Sequence, residues 1–122
     1  MGARLIRIAV IYVVVGIVLG MYMGITQQFT LVPVHAHVLL AGWASLALAG
    51  VIYHLYPAAG ATRLASIHFW LHNLGLPAFM LGLGWMLAGR SHEPPVILAP
   101  GAAMFLAGLY CFAINAWRKV RD

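Results

Sequence analysis

Two histidines, His35 and His37, stand one residue apart at the head of an apolar run that continues to about Tyr56. Imidazole is costly to bury in hydrocarbon, so a histidine inside a membrane-length apolar segment is a candidate functional group. Two residues of helix turn the side chain by roughly 200°. The pair therefore points to nearly opposite faces and does not grip one small ion together. The spacing suits axial ligands to two separate groups, or one ligand and one packing partner.

The elements that position this pair follow from composition. The chain has 122 residues, 64% hydrophobic and 7% charged, with mean hydropathy +0.96. Soluble domains are nearer half apolar and about a quarter charged. The expected class is all-α: an integral membrane protein in one unit, surrounded by membrane lipid. About 20 apolar residues make a span, and four segments qualify, at 8–25, 35–56, 64–88 and 96–117. Pro33, Pro57, Pro94 and Pro95 punctuate the short connections, as expected where helices start or stop. Short links imply a four-helix up-down-up-down bundle. The first segment is read as a span and not as a cleaved leader, because its apolar run exceeds a leader's and no Ala-x-Ala follows.

Charge sets the orientation. Arg4, Arg7, Arg63, Arg118, Lys119 and Arg121 fall at one side of the spans and Arg90 at the other. The basic side is expected to be cytoplasmic, with both termini there. The net charge of +5 thus lies at segment ends and is no nucleic-acid footprint. Cys111 is the single cysteine, so no intrachain disulfide and no Cys-x-x-Cys-His haem attachment exist. Neither carboxylate, Glu93 or Asp122, lies in a span, which argues against carboxylate acid–base catalysis within the membrane.

Depth sorts the histidines. His35 and His54 are separated by roughly 28 Å along one helix and cannot share a ligand. His54, His68 and His72 are expected near the cytoplasmic end, as a possible second site for copper or zinc or as capping and packing groups. His92 lies in the outer loop near the level of His35. Small residues below the pair (Ala41, Gly42, Ala44, Ser45, Ala49) let a flat macrocycle approach, and equally serve helix packing. Arg90 can pair with haem propionates or simply reach the interface. A bis-histidine haem needs a second imidazole at equal depth, and the outer halves of the other spans offer only methionines (Met21, Met23, Met86 and Met104). A second copy of the chain supplies that imidazole by symmetry.

These residues resemble a known family. His35-Ala-His37, followed by Gly42-Trp-Ala-Ser-Leu-Ala-Leu-Ala-Gly-Val-Ile-Tyr-His-Leu-Tyr-Pro57, resembles the tenth helix of the catalytic subunit of haem–copper oxidases, nearest the cbb-type and nitric-oxide-reductase branches. Ile67-His68-Phe69-Trp70-Leu71 is similar to the start of the eleventh. The likeness covers about residues 34–88. It implies that His35 ligates a high-spin haem and His37 a low-spin haem, and that the chain corresponds to one of three four-helix groups in a twelve-helix fold. It implies haem b, with copper as a further possibility, in a multi-pass protein of a prokaryotic inner (plasma) membrane.

The departures matter as much. The family's copper ligands and its other low-spin ligand come from helices with no counterpart here. His54 and His72 stand where a tyrosine or a small residue is expected. The resemblance therefore implies haem binding, for electron transfer or gas (O2/NO) binding, and not oxygen or nitric oxide reduction by this chain alone. A homo-oligomer is expected, a trimer ahead of a dimer, with a quinone or cytochrome as redox partner. The alternatives are a copper- or zinc-binding membrane protein and a structural accessory subunit of a respiratory complex.

Overall fold

A computed structural model describes residues 1–89 and 93–121 of the chain. Among them every regular element is helical: α1 (Gly2–Thr26), α2 (Val32–Leu55), α3 (Arg63–Leu87) and α4 (Leu98–Lys119), with a single helical turn at Pro57–Gly60. Three of the long helices, α1, α2 and α4, are long and apolar enough to cross a membrane. The fourth, α3, has 25 residues but carries Arg63, His68, His72 and Asn73. Its two histidines face inward and are buried, which is the arrangement that lets a less apolar helix sit in lipid.

Local chemistry sets the ends. Gln27 stops α1 in the left-handed conformation, φ 55°. Pro33 sits in the first turn of α2, where its missing N–H costs nothing. Thr62 caps α3, accepting from the Ala65 amide at 3.0 Å. The helix α1 starts at Gly2, well before the expected residue 8, because Arg4 and Arg7 continue it instead of lying outside it. Long basic side chains can bury their stems and keep their charge in water.

Contacts between consecutive helices pair the start of one with the end of the next. Gly2 lies against Gly50 and His54, and Gly20 against His35. Between α2 and α3, Tyr53 meets His68 and His37 meets Phe79. Between α3 and α4, Gly82 lies against Leu98 and Gly108 against His72. The α3–α4 crossing is close at two points: a Cβ added at Gly75 would stand 2.5 Å from the Phe105 amide nitrogen, and one at Gly101 2.5 Å from that of Phe79. Lipid tails are as apolar as leucine, so such close backbone approach, with interhelical hydrogen bonds, is what holds membrane helices together.

Two apolar clusters fill the interior. Leu5, Ala9, Leu46, Ala49, Tyr53, Ala59 and Ala65 form one, and Val34, Val38, Ala41, Leu76 and Met80 the other. The opposite faces are apolar and exposed, for example Ile11, Val18 and Ile25 on α1 and Trp70, Leu74 and Leu81 on α3. Outward-facing apolar side chains of this kind suit a hydrocarbon solvent and not water.

Candidate functional site

The His-x-His pair occupies the first turns of α2, and its two rings do turn to different neighbours. His35 faces α1: its Nδ1 lies 2.9 Å from Gly16 O, and its ring rests against Gly20, where an added Cβ would come within 2.8 Å of Cε1. His37 faces α3, edge-on to Phe79 with ring centroids 5.4 Å apart. Its Nδ1 lies 2.8 Å from Pro33 O, one turn back.

Both contacts define a tautomer. A carbonyl oxygen only accepts, so each Nδ1 carries the hydrogen and each Nε2 keeps its lone pair. Metal-ligating imidazoles are held in this way, with the second nitrogen donating to a backbone carbonyl. Both rings are half-buried. Two clefts lie at this end of the helices, one lined by Tyr22, Leu31 and Leu87 among others, the other by Leu19, Val34, Met80 and Trp85 among others. Neither cleft has a histidine in its lining. Arg90, the expected propionate partner, and His92 lie outside the described residues.

Directly after His37 the helix changes pitch: Val38–Ala44 is π-helical. The Ser45 amide donates to Leu40 O, five residues back, and Ser45 Oγ donates to the same carbonyl at 2.8 Å. Where five-residue spacing reverts to four, one carbonyl is left without an amide. Ala41 O, next in line, accepts instead from His72 Nε2 at 2.9 Å. Single π turns inside α-helices recur at functional sites.

From Ala41 a buried polar chain runs away from the pair. His72 Nδ1 lies 3.2 Å from His68 Nε2, His68 Nδ1 lies 3.3 Å from Tyr53 Oη, and Asn115 Nδ2 lies 3.4 Å from that same Oη. Asn115 Nδ2 also donates to Ala59 O at 2.9 Å, and Thr62 Oγ1 donates to Asn115 Oδ1 at 2.9 Å. Fractional exposure is 0% for His72, 1% for His68 and Asn115, and 3% for Tyr53. Phe105 and Phe112 pack on the imidazoles.

The ends of this chain orient every hydrogen in it. Ala41 O accepts only, so His72 carries its hydrogen on Nε2 and offers Nδ1 as acceptor. His68 then donates from Nε2 and accepts at Nδ1 from the Tyr53 hydroxyl, and the Asn115 amide donates to Tyr53. All four ring nitrogens of His68 and His72 are engaged, leaving no lone pair for a metal. His54 is exposed and lies against Gly2. Among the described residues no group of three His, Cys, Asp or Glu side chains gathers to hold a metal. The structure does not bring His54, His68 and His72, the expected copper or zinc ligands, together at one point. Adjacent residues of α2 point different ways, so Tyr53 meets His68 and His54 does not.

His72 also reaches further toward the pair than its assignment to the cytoplasmic end implies. Ala41 is four residues beyond His37, roughly 6 Å along the axis. Tyr53, Thr62 and Asn115 were not singled out from the sequence. Asn115 alone carried a signal, as an amide within an apolar helix. Among the described residues, Asn73 Oδ1 is buried without a hydrogen-bond partner.

Comparison with known proteins gives one informative similarity. The chain is 28% identical over 116 residues to the cbb3-type cytochrome c oxidase subunit CcoN1 of Stutzerimonas stutzeri, covering 71% of this chain and 24% of that protein. The chain therefore spans about a quarter of the length of the curated relative it matches. No family model matches, and no solved structure matches. At this modest identity the similarity supports a relation to haem–copper oxidases, and with the apolar helices it supports a multi-pass membrane protein.

Proposed function

We propose that the chain is a haem b-binding membrane protein of a prokaryotic inner membrane, serving electron transfer or the binding of O2 or NO as a homo-oligomer. All four long helices cross the bilayer, up-down-up-down, with both termini cytoplasmic. The observation that carries the reading is the common state of His35 and His37: Nδ1 held by a carbonyl, Nε2 left with its lone pair. Two imidazoles in the ligating tautomer, at the same end of one apolar helix, fit the donor set of a haem. The relation to an oxidase subunit supports the same assignment.

Haem with both axial positions filled exchanges electrons, and with one open position binds diatomic gases. The chain's own part is to fix the two rings. Gly16 O orients His35, Pro33 O orients His37, and Phe79 packs edge-on against His37. His35 and His37 face different neighbours, so one chain does not present both to one iron. In the oligomer His37 of one copy and His35 of the next stand at equal depth by symmetry, in a trimer ahead of a dimer. Arg90 is the partner for propionates, and a quinone or a cytochrome is the redox partner.

The test is to purify the protein after expression with ample haem supply. A pyridine haemochrome assay gives haem per chain and native mass gives the oligomer. The reading expects b-type haem and a mass above one chain. Colourless protein, or a monomer with a six-coordinate low-spin spectrum, contradicts it.

A further inference from the structure

We propose that the basic end of α4 holds one anionic phospholipid, with an acyl chain on either side of Trp117 and the phosphate over Arg118 and Lys119. The observation behind it is a pair of clefts that share Trp117 as a wall. The site lies at the opposite end of the helices from the His35/His37 pair and needs no haem.

Trp117 stands out from the last turns of α4 and is 88% exposed. At 3.6 residues per turn, Ala116 falls to one side of it and Ile114 and Arg118 fall to the other. Each side carries a cleft. One, of about 480 Å³, is walled by Ile52 of α2 together with Ala116, Trp117 and Val120. The other, of about 420 Å³, is walled by Ala113, Ile114, Trp117 and Arg118. Apart from Arg118 these walls are apolar. Leu106, Tyr110 and Ile114 recur every four residues and are exposed, so an apolar strip continues down α4 for a chain to lie on.

Charge selects what fills the clefts. Arg118 and Lys119 form the last turn of α4, and exposed Arg121 follows. Arg63 is exposed at the head of α3, and its neighbour Thr62 bonds Asn115, within one turn of Arg118 and Lys119. Glu93, the one carboxylate among the described residues, sits before the other end of α4, and Asp122 lies outside them. The carbonyl end of a helix disfavours an anion, and two cations in that turn reverse the sign. A guanidinium takes a phosphate through paired N–H groups. The stems of Arg118 and Lys119 can lie on apolar surface while their charges reach the headgroups, the level at which tryptophan also sits. An apolar helix laid in the same clefts would strip water from Arg118 without offering it an anion, which is costly.

The experiment is native mass spectrometry of the whole chain in detergent, with dioleoyl phosphatidylglycerol or dioleoyl phosphatidylcholine added at equal concentration. The two lipids share their chains and differ in net charge. One phosphatidylglycerol per chain is expected to be retained, about 10–30-fold over phosphatidylcholine, the effect of two surface cations on an anionic lipid. Arg118→Gln/Lys119→Gln should abolish the preference. Arg4→Gln/Arg7→Gln, which removes equal charge from α1 at the same end, should keep it. Equal retention of the two lipids overturns the proposal. So does a preference that survives Arg118→Gln/Lys119→Gln, or one lost equally in both variants. Should the α4 variant fail to fold, phosphatidylglycerol carrying a diazirine in one chain decides on wild type. Cross-links on α4 between Leu106 and Val120 are expected. Cross-links spread evenly over the four helices, or absent from α4 because a second copy covers it, overturn the proposal.

Discussion

The His72 imidazole donates from Nε2 to the carbonyl oxygen of Ala41 at 2.9 Å, across the α2–α3 interface and four residues beyond His37. That bond links a change of helical pitch to a buried polar chain. The π turn frees a carbonyl, the carbonyl orients His72, and His72 orients His68 and Tyr53 in turn. The polar interior and the candidate haem ligands are thus parts of one helix geometry.

Replacing His72 by alanine leaves Ala41 O and His68 Nε2 without partners in a dry interior. The expected loss of stability is about 1–3 kcal/mol for the orphaned groups, read as a lower unfolding midpoint in detergent. His72→Phe refills the volume but restores neither bond. It should remain destabilised, and full recovery in His72→Phe would show that packing and not hydrogen bonding holds the interface.

Asn115→Leu tests the other end of the chain. It removes the donor to Tyr53 and to Ala59 O and the acceptor for Thr62. A loss of about 1–3 kcal/mol is expected from the same melting measurement. A neutral result would mean that water replaces the amide.

Much of this was legible in the residues. Hydropathy marked the long helices, three of them apolar enough to cross a membrane, but the basic residues did not mark where α1 begins, because Arg4 and Arg7 lie inside it. His35 and His37 stood out because histidine is rare in such segments. The π turn was not legible, because Val38–Ala44 has an ordinary apolar composition and the pitch depends on what α3 presents to it. The partners of His68 were not legible, because the facing of Tyr53 and Asn115 depends on how α2 and α4 register against α3. Pairings between helices depend on axial register, which a one-dimensional reading places only to within a turn.

Glycine substitutions should separate packing from propensity. Gly75→Ala drives a Cβ onto the α4 backbone at Phe105 and Gly101, and a loss of about 1–3 kcal/mol is expected from overpacking. Gly24 in α1 has nothing within 4 Å of an added Cβ. Gly24→Ala should be neutral or stabilising by up to about 1 kcal/mol through helix propensity. Equal effects at the two sites would contradict the helix contacts described.

Gly20→Val acts on His35 without touching it chemically. The added carbons occupy the space of the His35 ring, which breaks the bond to Gly16 O. Haem affinity should fall by about 10–100-fold, the usual effect of losing a group that orients a ligand, with little change in helix content by circular dichroism. Unaltered affinity would detach His35 from haem binding.

The most direct test of the central claim is the reduced-minus-oxidised visible spectrum of purified wild type beside His37→Ala and His35→Ala. Wild type should give the sharp α-band of six-coordinate haem b, and each variant should lose it. An unchanged band in either variant, or a wild-type protein with no band, would contradict the assignment of His35 and His37 as the residues that hold iron.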